Sequence, residues 1–179
     1  GTTNTFVSAT STKPVVIIKN TTNDASASTL RFEKDRDSAN GASGDDIGTI
    51  EFKAGDSGAT QEVFATILGE AAVATSGQEG GRLTFSVAAN DGELNSGLII
   101  ADGDAEDEID VTIGNVATSL TTVAGNLTVS ATTASTSSTT GSLIVGGGVG
   151  IADDLYVGTD LDVTGDAVID GTLTQTDIA

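Results

Sequence analysis

Short runs of alternating apolar and polar residues, closed by turn-forming clusters, occupy the first two thirds of this chain. Leu30-Arg31-Phe32-Glu33, Ile50-Glu51-Phe52-Lys53 and Leu83-Thr84-Phe85-Ser86-Val87 alternate with period two. That is the mark of a strand with one face buried and one wet. Val15-Val16-Ile17-Ile18, Leu98-Ile99-Ile100 and Ile109-Asp110-Val111-Thr112-Ile113 are further strand candidates. Val63–Leu68 is apolar on both faces, as expected of a central strand. The separators SANGASGDD, AGDSGA, TSGQEGG, NDGELNSG and ADGDAEDE are rich in residues that favour turns. A helix over Glu62–Ala74 competes with a strand there, but Gly69 interrupts it and favours the strand. Strands joined by such turns predict a small antiparallel sheet, a sandwich or a prism over residues 1–125.

The pattern then changes. Residues 130–142, SATTASTSSTTGS, are of low complexity and read as a linker or an extended, packed connector. Beyond them a unit repeats every six residues. Asp154-Leu155-Tyr156-Val157-Gly158, Asp160-Leu161-Asp162-Val163-Thr164-Gly165, Asp166-Ala167-Val168-Ile169-Asp170-Gly171 and Thr172-Leu173-Thr174-Gln175 are its copies, and Asn126-Leu127-Thr128-Val129 looks like an isolated earlier one. Each copy puts apolar side chains on one face. Strands turning at this short interval predict a β-helix or β-prism over residues 126–179. Four such rungs cannot close a core alone, and their open edges invite pairing. Three copies around a threefold axis supply the missing walls, with Leu155, Val157, Leu161, Val163, Ala167, Ile169 and Leu173 facing inward at the subunit interface.

Charge sharpens the partner class. The net charge is −19; residues 1–83 hold all seven bases and 11 acids, whereas residues 84–179 hold 15 acids and no base. A C-terminal half of this kind repels nucleic acid and anionic membrane. No stretch is long and apolar enough for a membrane span, so neither nucleic-acid binding nor membrane insertion is expected. The chain opens without Met, in the middle of a pattern and with no signal-peptide signature, and is read as a segment of a longer or processed protein.

Absent residue types narrow the chemistry. With no Cys and no His, disulfides, thiolate or imidazole metal sites and Cys–His or Ser–His–Asp nucleophiles are excluded. Gly146-Gly147-Gly148-Val149-Gly150 does not make a dinucleotide loop: the sixth position is Ile151 or Asp153, and the six-residue repeat follows where a helix is required. No Lys follows Lys53, which removes a P-loop. These glycines are read instead as permitting tight corners and close backbone approach. Six acids fall within residues 102–110, and Asp102, Asp104, Glu106 and Asp110 are weak calcium candidates. Asp107 stands where an EF-hand needs Gly, and Ala152 where a calcium β-roll needs Asp, so a solvated acidic loop is favoured and no cofactor is expected. The six-residue period also suits left-handed β-helix acyltransferases, but these commonly rely on a histidine base. Carboxylates are abundant, but there is no Trp and only Tyr156 and five Phe, so platforms for sugar rings are scarce and no enzyme activity is expected. Sequons at Asn20 and Asn126 matter only in a glycosylating compartment.

The stretch STTGSLIVGGGVGIADDLYVGTDLDVTGDAVIDGTL resembles a recurrent motif of bacteriophage tail-fibre and related virion appendage proteins. There a Ser/Thr-rich lead-in precedes a GGVGI-like turn, then D-L-Y-V-G and further L-x-V-x-G rungs. Upstream, Gly48–Phe52, Ala65–Ile67 and Gly81–Phe85 resemble that family's G-x-I-x-F, A-x-I and G-R-L-x-F strands in the same order. The resemblance covers roughly residues 45–175 and does not extend to the acidic cluster 102–110. It implies a homotrimeric, non-enzymatic shaft on a virion, with other tail or baseplate proteins as partners and a host cell-surface receptor met elsewhere or on exposed loops.

The expected fold is therefore all-β: a β-sandwich or β-prism module over residues 1–125, then a trimeric, intertwined triangular β-helix over residues 126–179. The expected role is support of host attachment. The alternative is a bacterial surface adhesin or surface-layer β-repeat, which would be extracellular.

Overall fold

The computed structural model describes residues 3–37 and 39–173. Its regular structure is entirely β: β1 (Asp45–Gly55), β2 (Gln61–Val73), β3 (Gly80–Ala88), β4 (Leu94–Asp102) and β5 (Ile109–Ile113). Each strand pairs antiparallel with the next, giving one five-stranded sheet in the order β1-β2-β3-β4-β5. The chain divides into two units, Gly1–Thr122 and Val123–Ala179.

The turn residues explain the meander. In the β1–β2 turn Asp56 Oδ1 accepts the N–H groups of Gly58 (2.8 Å) and Thr60 (2.7 Å), while Asp56 N–H donates to the Thr60 carbonyl. A short Asp side chain that mimics a backbone turn is the usual reason for Asp at such a position. The β3–β4 turn closes with Ala89 N–H on the Glu93 carbonyl, and Gly92 sits at φ 88°, a conformation that favours glycine. In the β2–β3 turn Glu79 accepts the N–H of Gly77, and this bond holds the Glu79 carboxyl below its usual range.

Pairing register sorts the side chains onto two faces, because successive residues of a strand point to opposite sides. Ile50, Ile67, Phe85, Leu98 and Ile113 form one continuous cross-strand row. Two positions along, Gly48, Gly69, Leu83, Ile100 and Val111 form the next. Phe52, Ala65, Val87 and Asn95 form a third. The opposite face carries Thr49, Leu68, Thr84, Ile99 and Thr112, with the cross-strand ion pair Arg82–Glu70 at 3.0 Å beside them. The sheet thus has an apolar and a mainly polar side. Val63–Leu68 does lie in a strand flanked on both sides, and the helical alternative over Glu62–Ala74 is not adopted.

Two expected strands are absent. Val15–Ile18 and Leu30–Glu33 run without strand pairing. Alternation marks which side of an extended segment is apolar, but not whether a neighbour offers hydrogen bonds, and these segments have none. A second sheet is likewise missing among the described residues, so residues 1–125 form no two-sheet sandwich within one chain.

Phe32 nevertheless has a defined place. A Cβ at Gly48 would overlap Phe32 Cβ and Cγ, so the ring is laid against the apolar face where Gly48 pairs with Gly69. Phe32, Ile47, Gly48, Ile50, Ile67, Gly69 and Leu83 line one shallow apolar depression there. Gly48→Ala therefore pushes the arm off the sheet. Overpacking of this sort costs about 1–3 kcal/mol. Tryptic cleavage at Arg31 and Lys34 is expected to accelerate at least about fivefold, and an unchanged rate contradicts the contact.

Further along, Arg36 forks onto Asp45 at the start of β1, with Nε to Oδ2 at 2.7 Å and NH2 to Oδ1. Ala42 N–H also donates to Asp45 Oδ2 at 2.9 Å. The Arg36 hydrogen bonds, helped by that amide, hold the Asp45 carboxyl well below the usual carboxylate range. A depressed folded pKa stabilises the fold above the unfolded value, about 3.9 for Asp, and this contribution is lost as pH falls through the folded value. The gap in unfolding midpoint between wild type and Asp45→Asn should be widest near neutral pH and shrink steadily below about pH 4. A gap unchanged between about pH 5 and pH 2 contradicts it.

In the second unit, residues 131–142 close into a loop. Ser142 Oγ donates to the Ala131 carbonyl at 2.6 Å, and Thr140 Oγ1 accepts the N–H groups of Thr136 and Ser137. The Ser/Thr-rich segment is thus organised by its own hydroxyls. No strand occurs among the described residues from 123 to 173, so neither the repeats at 154, 160 and 166 nor Asn126–Val129 are strands within one chain. Thr174 and Gln175 of the last repeat lie outside the described residues.

Candidate functional site

The most informative property of the molecule is its surface. The chain exposes 15723 Å², and no hydrophobic side chain is buried among the described residues. A folded monomer of 17.7 kDa is expected to expose about 7,900 Å². Roughly half of the surface left open here would be covered in an ordinary globule of this size. The candidate site is therefore a contact surface rather than a cleft.

The repeats carry part of it. Leu155, Val157, Leu161, Val163, Ala167, Ile169 and Leu173 are all exposed. Tyr156 is 91% exposed between Leu155 at 64% and Val157 at 41%, Val168 at 84% precedes Ile169 at 56%, and Leu161 and Leu173 are 70% and 71% exposed. In the single chain nothing covers the residues assigned inward. A Cβ at Gly146, Gly147, Gly148, Gly150, Gly158, Gly165 or Gly171 would meet no atom within 4 Å. The close approach expected at these glycines is not made inside one chain.

The sheet carries the rest. Ile50, Phe52, Ile67, Leu83 and Phe85, from the three family-like strands, all fall on its apolar side. Alternation predicts one buried face for these strands, and in the single chain no second sheet among the described residues covers it. Their shared face follows from alternation, but the lack of an opposing layer leaves no local signal.

The acidic loop offers a poor cage. Asp102 pairs with Ile109 and Ala101 with Asp110, so Asp102 and Asp110 point to opposite faces of the sheet. Asp104 and Glu106 lie in the β4–β5 loop between them. Glu108 is committed to the turn itself, its Oε2 accepting the N–H groups of Asp104 (2.8 Å) and Ala105 (3.0 Å). A Cβ on Gly103 would strike the Glu108 side chain, which explains glycine there. Among the described residues no three Asp or Glu side chains are placed to share a metal ion. Calcium at millimolar concentration is expected to leave the unfolding midpoint unchanged, and a rise of several degrees contradicts that reading.

Other acids gather in two open depressions at the ends of the sheet. Asp56, Glu62, Asp91 and Glu93 line one; Glu79, Asp102, Asp104, Glu106 and Asp107 line the other. Asp24 is held below its usual range, first by the N–H of Ser26 and then by Thr22. With Asp45 and Glu79 it is shifted away from, not toward, the raised pKa of a general acid. No helix among the described residues is long and apolar enough to cross a membrane. Comparison with protein-family models, curated proteins and solved structures finds no match to this chain.

Proposed function

We propose that the chain is a structural segment of a homotrimeric phage tail fibre or related virion appendage, supporting host attachment without catalysing a reaction. The observation that carries this reading is the absence of any buried hydrophobic side chain among the described residues, in a chain whose apolar positions are nonetheless regularly patterned. Regular patterning without a core fits a protomer whose core lies between copies. The six-residue repeat is read as the shaft: three chains supply one wall each of a triangular β-helix, and the exposed glycines allow the walls to approach. The role is mechanical. Other virion proteins hold the segment, and a host receptor is met elsewhere or on exposed loops.

Sedimentation velocity tests the proposal. Three times 17.7 kDa, with a frictional ratio above that of a compact globule, is expected. A compact monomer would move the assignment to a single-chain surface adhesin module. Turnover of a polysaccharide by the purified chain would contradict the structural role.

A further inference from the structure

We infer that the basic, apolar segment Lys13–Lys19 of one copy of this chain docks along the sheet of the next copy, its lysines meeting the acidic clusters at the two ends of the strands. The inference rests on the homo-oligomer proposed above and names a contact that the repeats do not include.

The sheet sets out a charge pattern along its strands. The three rows at the levels of Phe52, Ile50 and Gly48 carry no charged side chain. Beyond the first of them, Ala54 pairs with Glu62, and Asp56, Asp91 and Glu93 line the same end. Beyond the last, Asp102 follows Leu98 and Ile100, and Glu79, Asp104 and Glu106 line that end. Read along the strands, the order is acid, apolar, acid. Two such sheets laid face to face bring like charges together at both ends. The complement is a segment that runs base, apolar, base.

The chain contains one. In Lys13-Pro14-Val15-Val16-Ile17-Ile18-Lys19 a base stands at each end of an apolar run, and no other apolar run of the chain is bracketed in this way. Residues 1–23 hold these two lysines and no acid, so the stretch is locally basic in a chain of net charge −19. The lengths agree. From the level of Phe52 to that of Gly48 is about 14 Å, and from Glu62 to Asp102 about 27 Å along the strands, at roughly 3.4 Å per residue. An extended Val15–Ile18 covers about 10 Å and Lys13–Lys19 about 20 Å. The lysine stems, which lie along apolar surface while their charges reach outward, close the gap at each end. The run is apolar on both sides, as suits a segment that is covered.

Both halves of the contact are open in the single chain. Val15, Val16, Ile17 and Ile18 are exposed and unpaired, and Phe32 covers the sheet only at its Gly48–Gly69 corner. Each copy thus offers one half to the next. Such a contact is heterologous and closes around a threefold axis.

The chain contains no cysteine, so introduced thiols report on single positions. A tagged Ile17→Cys chain is refolded together with an untagged Leu98→Cys chain, and a short bismaleimide joins thiols that lie close. Leu98 is at the centre of the apolar side. Thr84→Cys, on the other side, replaces it in the control, and both parent residues are half-buried in the single chain. Circular dichroism confirms folding and light scattering gives the mass of the same samples. Tagged–untagged product is expected to be at least about tenfold more abundant with Leu98→Cys than with Thr84→Cys, and to fall at least about fivefold when Lys13→Glu and Lys19→Glu are added to the tagged chain. Equal yields from Leu98→Cys and Thr84→Cys in an oligomer overturn the inference and leave the homotrimer standing. So does a yield indifferent to the two charge reversals. Linkage confined to single chains in the Ile17→Cys/Leu98→Cys double variant makes the occupant the chain's own arm, which also overturns it. A monomeric mass overturns both the inference and the homotrimer.

Discussion

A Val163→Asp chain is expected to remain unassembled at concentrations where the wild type is fully oligomeric, whereas Asp162→Ala assembles normally. Val163 is 48% exposed in the single chain and belongs to the set of the repeat assigned inward. The substitution therefore leaves the isolated chain nearly untouched. In a threefold assembly it brings three carboxylates into one apolar layer. Each ion costs several kcal/mol to desolvate without a partner, and like charges at one level repel. The total exceeds what neighbouring rungs can offset, so assembly is lost rather than weakened. Asp162 lies on the wet side of the same rung, where removal of a carboxylate relieves local negative charge. Solution mass of the two variants at equal concentration checks the expectation. Equal assembly of both would overturn the assignment of inward positions.

The second large effect concerns dilution. A chain without buried hydrophobic side chains among its described residues has little to set against the conformational entropy of folding. Folding and association should then be one transition. Progressive dilution is expected to abolish the β-sheet circular dichroism signal, not to release a folded monomer. Above that limit the unfolding midpoint should fall by about 3 °C for each tenfold dilution, taking about 0.7 kcal/mol of unfolding enthalpy per residue and three chains per unit. A midpoint independent of concentration, with reversible unfolding, would mean that one chain carries its own core.

Local chemistry made the sheet legible. Ile50–Lys53, Leu83–Val87 and Ile109–Ile113 alternate cleanly, and each lies in a strand. Their flanking turns contain the Asp56 and Gly92 geometry that their composition requires. Val63–Leu68 was recognisable because a run apolar on both sides suits a strand with two neighbours. Val15–Ile18 and Leu30–Glu33 share the same local signal and fail as strands, since pairing depends on residues far along the chain. The place of Phe32 was hidden for the same reason: it depends on two glycines, Gly48 and Gly69, meeting across β1 and β2.

The candidate surface was legible in one part and not in the other. The repeat period ranks Leu155, Val157 and Ile169 as inward, and in the single chain all three are exposed. The period cannot, however, make a strand without a neighbouring edge, and residues 123–173 have none inside one chain. The acidic segment is hard to read from sequence for a different reason. Six acids within residues 102–110 suggest a cation, but strand register sends Asp102 and Asp110 to opposite faces and the turn consumes Glu108. Composition reports charge density, and only register reports convergence.

The most direct measurement is the solution mass of the purified chain by multi-angle light scattering, with and without a chelator. A mass of three times 17.7 kDa that is indifferent to chelator is the predicted result. A mass of 17.7 kDa at every concentration, with a cooperative fold, would contradict an assembly whose core lies between copies.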